Sequence, residues 1–355
     1  MNLLNLHDYA AAAESRLPRG VYDYFAGGAN DERTLAANRE AWERIALHYR
    51  VLRDVSKRSL ATTVLGTPMA MPVAVAPMAF HKLAHPEGEV GTARAAASAG
   101  VPFSLSTLAT TAIEQVRAAS AGPIWFQLYV HTDRGVTRDL VARAEAAGCT
   151  ALVLTVDVAA MGRRERDIRN AFVLPPEVRI AHAMPGQGML NEAVDGSALA
   201  AFVNGMLDPS LTWRDVEWLR SVTTLPLAVK GIVRADDAHR AVECGAAAVV
   251  VSNHGGRQLD GAPATAAVLP SVVDRIGGAA EVLVDGGIRR GADVVRALAL
   301  GARAVLVGRP VLWGLAVDGE RGVSGVLGLL RDELDTAMAL CGAATVDAVG
   351  RDLIA

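Results

Sequence analysis

Residues 281–310 run EVLVDGGIRRGADVVRALALGARAVLVGRP, and this stretch decides the fold. Residues 281–284 are a short apolar, β-branched run that stops at Asp285-Gly286-Gly287. Residues 292–300 have helical character and close at Gly301, as a helix C-terminus does. Residues 304–307 are a second short run, stopping at Gly308-Arg309. Strand, helix and strand in so little chain make one unit of a parallel sheet.

Outward from this unit the pattern recurs. Residues 72–76, 102–105, 124–128, 151–156, 225–229 and 247–251 are further strand candidates, which brings the count to eight. Residues 88–98, 133–147 and 236–244 carry helical character between them. Eight strand–helix repeats are the sequence form of an α/β fold, the (β/α)8 TIM barrel. One gap breaks the rhythm: residues 156–225 span roughly 70 residues where other repeats take roughly 20–30. An insertion therefore follows strand four, and residues 175–210, with Pro175-Pro176 and Gly186-Gln187-Gly188, are expected to form a lid loop over the catalytic face. Residues 1–70 precede the barrel as a helical segment, with 38–51 amphipathic. No second domain is read, so residues 1–355 are expected to be a single barrel domain.

Composition excludes several classes. The 355 residues are 51% apolar but only 5% aromatic and 21% charged, and the mean hydropathy is +0.26, so a disordered chain is excluded. The apolar runs fall far short of the roughly 20 residues that span a bilayer, and no signal peptide opens the chain. A net charge of −3 argues against nucleic acid as a partner. Cys149, Cys244 and Cys341 are odd in number and far apart, which reads as packing in a reducing cytoplasm rather than a disulfide framework. No metal is assigned.

Barrel enzymes keep their chemistry just after the strands. The eight ends carry Pro77-Met78-Ala79, Ser106-Thr107, Gln127 to Tyr129, Thr155 with Asp157, Lys230, Ser252 to His254, Asp285-Gly286-Gly287, and Gly308-Arg309. A lysine closing a buried run is costly unless an anion pairs with it. Glycines, a helix start, Arg289 and Arg309 after the last two strands make a phosphate site, for a phosphorylated cofactor or substrate. His254 is a candidate base, with Asp157 available to orient it. Arg257, Arg164, Tyr24 and Tyr129 can together grip a carboxylate. Arg163, Arg164 and Arg166 lie together, and an exposed-loop role suits at least two of them.

These residues resemble a known family. Tyr24 within Tyr-Asp-Tyr-Phe-Ala-Gly-Gly-Ala, the Pro77 to Ala79 turn, His85-Pro86-Glu87-Gly88-Glu89, Gln127-Leu128-Tyr129, Thr155-Val156-Asp157, Lys230-Gly231 and the whole of 252–260 resemble the FMN-dependent α-hydroxy-acid oxidases and dehydrogenases. The resemblance covers essentially the whole chain. It implies FMN across the barrel mouth, against the backbone of Pro77, Met78 and Ala79 and the side chains of Ser106, Gln127, Thr155 and Lys230. Ser252, Asp285 and Gly286 join that cofactor shell, while Gly287, Arg289, Gly308 and Arg309 take the phosphate. Substrate carboxylate would meet Arg257, Arg164 and Tyr24, with Tyr129 near the hydroxyl. His254, assisted by Asp157, would remove a proton as two electrons pass to the flavin, giving a 2-oxo acid.

The resemblance also narrows the substrate. Leu108 stands where glycolate oxidase carries a tryptophan, and Phe80 and Met161 add apolar surface, so an aromatic (S)-2-hydroxy acid, mandelate or 4-hydroxymandelate, is expected. The chain looks like the 4-hydroxymandelate oxidases of antibiotic pathways. Ala79 and the absence of a haem domain point to O2 as acceptor, with H2O2 as product. The polar residues of 175–209, unlike the apolar insert of membrane-bound mandelate dehydrogenases, imply no membrane. Family habit implies a homo-oligomer, tetramer or octamer. Alternatives are an oxidase of glycolate or lactate, a soluble mandelate dehydrogenase, a non-redox flavin barrel, and a phosphate-binding barrel without catalysis.

Overall fold

Successive side chains of a strand face opposite ways, and here that alternation sends one set into the barrel interior and the other beneath the helices. In the computed structural model, which describes residues 3–182, 205 and 207–355, Val305 and Val307 join the packing beneath the helices while Ala304 and Leu306 join the barrel interior. The strands are β3 (Val73–Met78), β4 (Phe103–Ser106), β5 (Ile124–Leu128), β6 (Ala151–Thr155), β7 (Leu227–Ile232), β8 (Ala248–Val251), β9 (Glu281–Asp285) and β10 (Ala304–Val307). They close in the order β10-β3-β4-β5-β6-β7-β8-β9, all pairs parallel. The expected TIM barrel is present.

The interior is filled unevenly. Trp125 is fully buried in one cluster with Ala74, Ala151, Ala228, Ala248 and Ala304, one large ring offset by small residues, as close packing requires. Strands β1 (Thr62–Val64) and β2 (Thr67–Met69) form an antiparallel hairpin whose Val64, Leu65 and Met69 plug the barrel at the strand starts. Each such burial contributes roughly 1.5–3 kcal/mol. The hairpin was not anticipated, because its strands are three residues each.

The N-terminal segment departs from expectation. Helices α1 (Leu6–Arg16), α2 (Arg19–Ala26) and α3 (Arg33–Glu43) form, but 38–51 is not one amphipathic helix. After Glu43 the backbone pairs with the C-terminus instead: the His48 N–H donates to Leu353 O at 2.8 Å, and Leu47 bridges Ile354. Tertiary pairing has overridden local periodicity.

Around the barrel run α4 (Gly88–Ser98), α5 (Ile113–Ala119), α6 (Arg134–Ala146), α7 (Glu165–Arg169), α8 (Trp213–Ser221), α9 (Ala235–Glu243), α10 (Thr265–Ile276), α11 (Gly291–Ala299) and α12 (Arg309–Leu340), the last broken at Asp318 and Gly319. The expected lid, 175–210, lies largely outside the described residues. Among the described residues no helix is long and apolar enough to cross a membrane. All three cysteines are buried and free.

Candidate active site

The parity that fills the interior also builds the mouth. The inward positions at the C-terminal ends are Ser106, Gln127, Thr155 and Lys230, and the register sets Ser106 beside Gln127 and Thr155 beside Lys230. Polar groups this deep need partners, and they find one another. Ser106 Oγ donates to Gln127 Oε1 at 3.0 Å, and Gln127 Nε2 donates to Thr155 Oγ1 at 3.1 Å. Lys230 Nζ donates to Ser252 Oγ at 3.0 Å and pairs with Asp285 Oδ2 at 3.2 Å. Burial pushes Lys230 down, but Asp285 and Asp157 outweigh it and hold the ammonium above its ordinary value. Asp285 Oδ1 is buried without a partner.

Above this layer lies a cleft with about 1160 Å³ of empty space, open solvent included. Every expected site residue lines it except Asp157, Ser252 and Phe80. Asp157 sits behind His254. Ser252, expected in the cofactor shell, is fully buried, and its Oγ accepts from both Lys230 Nζ and the His254 N–H; it braces the two groups from beneath. Phe80, expected as a pocket wall, is also fully buried. Its left-handed φ of 60° turns it inward behind Tyr24, ring centroids 5.8 Å apart.

Loops after β9 and β10 supply an anion site. Asp293 Oδ2 accepts the N–H groups of Arg289 and Arg290, capping α11, while Trp42 Nε1 donates to Gly286 O at 2.8 Å. Gly287 has φ 89°, and a Cβ there would lie 2.1 Å from Asn38 O. Burial, with Arg39 nearby, pushes Arg289 down to about 10; burial, Arg257 and Arg289 push Arg309 well below its ordinary value. A guanidinium keeps its proton in proteins, so this crowding of buried positive charge would favour a bound anion. A phosphate with a flat polar ring system fits the cleft: cations and glycines at one set of loops, a hydrogen-bonding layer below. The Gly287→Ala variant is expected to lose bound flavin and to unfold about 5 °C or more lower, read by the flavin-to-protein absorbance ratio and a melting curve.

The loops after β6 and β8, with α2, bring together a histidine–aspartate pair and a second pair of arginines. His254 takes φ 58°, a conformation that costs roughly 1–3 kcal/mol and collects at working sites. Its Nδ1 lies 2.9 Å from Asp157 Oδ1. Burial pushes the imidazole below its ordinary value, Asp157 pulling the other way. Burial raises Asp157, but His254 and Lys230 more than offset that and hold it low. A neutral ring with Nδ1–H on a carboxylate leaves Nε2 as acceptor toward the cleft. Gly231, φ 109°, makes the pairing possible, since a Cβ there would meet Asp157 Cγ at 2.6 Å.

The clustered arginines separate. Arg163 is exposed; Arg166 ties α7 to α2 through Asp23 and to the start of α3 through Glu32; Arg164 enters the cleft, its Nε buried without a partner. Burial and Arg257 lower Arg164 to about 10. Arg257 donates to Tyr24 O at 2.6 Å and Gly27 O at 3.1 Å, and lies 5.0 Å from the Tyr24 ring. Arg309 donates to Phe25 O, Gly255 O and Gly27 O. The two guanidiniums thus cover the negative, carbonyl end of α2, which is how a distant segment delivers Tyr24. Burial raises both Tyr24 and Tyr129, so their hydroxyls stay protonated donors.

Leu108, Met161 and Val158 add apolar wall. Sequence reasoning missed Val158, although its place immediately after Asp157 was the available signal. It also missed the Asn38–Asn253 amide pair, 2.8 Å in both directions, that fastens α3 to the His254 loop; nothing local marks it.

Comparison with known proteins places this arrangement. A model of the FMN-dependent dehydrogenase family matches residues 13–355. An L-lactate oxidase of Nostoc sp. is 55% identical over 344 residues, 96% of this chain and 94% of that protein. Glycolate oxidase of Spinacia oleracea is 48% identical over 356 residues, covering 100% of this chain and 96% of that one. A crystal structure of mandelate oxidase with (S)-4-hydroxymandelic acid superposes with a TM-score of 0.96 at 46% identity, covering 99% of this chain and 98% of that one.

Proposed function

Since the chain belongs to the FMN-dependent dehydrogenase family and is an FMN-dependent 2-hydroxy-acid oxidase, we propose that its substrate is an aromatic (S)-2-hydroxy acid, mandelate or 4-hydroxymandelate. The observation that carries this is the apolar wall of Leu108, Val158 and Met161 in the same cleft as His254, Arg164 and Arg257. A phenyl ring against such a wall gains roughly 2–3 kcal/mol that glycolate has no group to gain. The likeness to mandelate oxidase supports the same choice.

The geometry supports the residue roles that this reading assigns. Arg164 and Arg257 hold the carboxylate, with Tyr24 and Tyr129 donating to it and to the hydroxyl. His254 Nε2 takes a proton from the substrate, and Asp157 keeps the ring oriented and stabilises the imidazolium that forms. Pro77, Met78, Ala79, Ser106, Gln127, Thr155 and Lys230 would hold the flavin ring, Lys230 supplying positive charge; Gly287, Arg289, Gly308 and Arg309 would hold its phosphate. Bound FMN supplies two-electron acceptor chemistry and the onward reduction of O2. Overall the alcohol carbon loses two electrons and the substrate two protons, all ending on O2 as H2O2.

The test mixes holoenzyme anaerobically with (S)-mandelate, 4-hydroxymandelate, lactate and glycolate, follows flavin bleaching, then admits air. Expected is a kcat/KM for the aromatic acids at least ~30-fold above glycolate, followed by rapid recolouring with peroxide. Equal efficiency on glycolate and mandelate rejects the aromatic assignment. The named activities of the lactate and glycolate oxidases at 55% and 48% identity favour aliphatic acids as the second reading, which lactate or glycolate preference would establish.

A further inference from the structure

Within the Ser252–Asp260 stretch, the Gln258 side chain is used by neither the acid–base pair nor the carboxylate grip. Gln258 Nε2 donates to Asp157 O at 2.9 Å and to Ala160 O at 2.9 Å, and its Oε1 accepts the Gly162 N–H at 3.2 Å. One neutral amide therefore fills three hydrogen bonds with the loop between β6 and α7. That loop carries Asp157, Met161 and Arg164; the loop bearing Gln258 carries His254 and Arg257. The two backbones touch where the amide acts, because a Cβ on Gly162 would lie 2.3 Å from Arg257 O and 2.6 Å from Gln258 O.

We infer that Gln258 is a positioning residue that clamps the two catalytic loops into one body, setting the His254–Asp157 contact and the Arg164–Arg257 spacing together. The inference rests on the roles given to those four residues above. Both contacts cross the same loop seam, and Gln258 is the side chain whose amide spans it. The amide is suited to the task because it presents donors to two carbonyls and an acceptor to an N–H at once. Catalytic pairs tolerate little slack: a misplacement of about 1 Å can cost ~100-fold in rate.

The test uses FMN-loaded Gln258→Met and Gln258→Glu. Gln258→Met keeps length and volume but makes none of the three bonds. It is expected to bleach with (S)-mandelate at least ~10-fold more slowly, and to bind the non-reacting 2-oxo acid benzoylformate more weakly by flavin-spectral titration. Gln258→Glu sets a carboxylate against two carbonyls when ionised, yet regains a donor when protonated. Its kcat/KM relative to wild type is therefore expected to climb as the pH falls from about 8 to about 5, a rescue that lost packing would not produce. Wild-type bleaching in Gln258→Met, or a pH-independent ratio in Gln258→Glu, overturns the clamp. A His254→Asn control separates the levels: inactive beside a fully active Gln258→Met, it overturns the clamp alone; active itself, it removes the catalytic reading and the clamp with it.

Discussion

Replacing His254 by asparagine is expected to slow flavin bleaching by substrate roughly 10²–10⁴-fold, with FMN still bound. Asparagine is the informative choice because it tolerates the left-handed backbone, φ 58°, that His254 adopts. The fold around Ser252 and Gly255 is therefore preserved while the proton acceptor is lost. The pH dependence carries a sign. Burial holds His254 below the ordinary imidazole value of 6.5, and the base must be neutral to work. The acid limb of kcat/KM should accordingly lie below pH 6.5, with activity full above it and lost as the pH falls through it. An acid limb well above 6.5, or rapid bleaching in His254→Asn, would show that another group takes the proton.

Arg164→Met is expected to cut kcat/KM by the equivalent of about 2–5 kcal/mol, the usual cost of removing one partner from a desolvated charge contact. Most of the loss should appear as a higher KM and a weaker Kd for 2-oxo acids. Melting should move the other way. Burial and Arg257 both disfavour the Arg164 charge in the free protein, and its Nε is unpartnered, so methionine there should leave the melting temperature unchanged or raise it. Lower stability with unchanged KM would make Arg164 a structural arginine. Arg257 is the less clean target, since it also holds the Tyr24 and Gly27 carbonyls.

The placement of most site residues was legible because strand periodicity and chemistry share a rule. Once β6 and β7 are strands, parity alone points Thr155 and Lys230 into the mouth, where the register then pairs them. Asp285-Gly286-Gly287 with Arg289 was legible for a similar reason, since glycines and cations after a strand have few other uses. Phe80 was misjudged because a left-handed turn after β3, φ 60°, reverses the side its position suggests. Ser252, near the mouth, does not line the cleft; its Oγ is taken up by Lys230 and the His254 N–H.

Sequence alone determined the barrel and which residues close its strands at the cleft, because alternation and turn residues are local and repeat eight times. Tertiary structure alone decided which of Arg163, Arg164 and Arg166 faces the cleft, that Ala46, Leu47 and His48 pair with the C-terminus, and that the loops after β6 and β8 meet through Gln258. These depend on partners about 100 to more than 300 positions away in the chain. Only closing the barrel and laying α2 and α3 across its mouth brings such partners together, and no local propensity encodes that encounter.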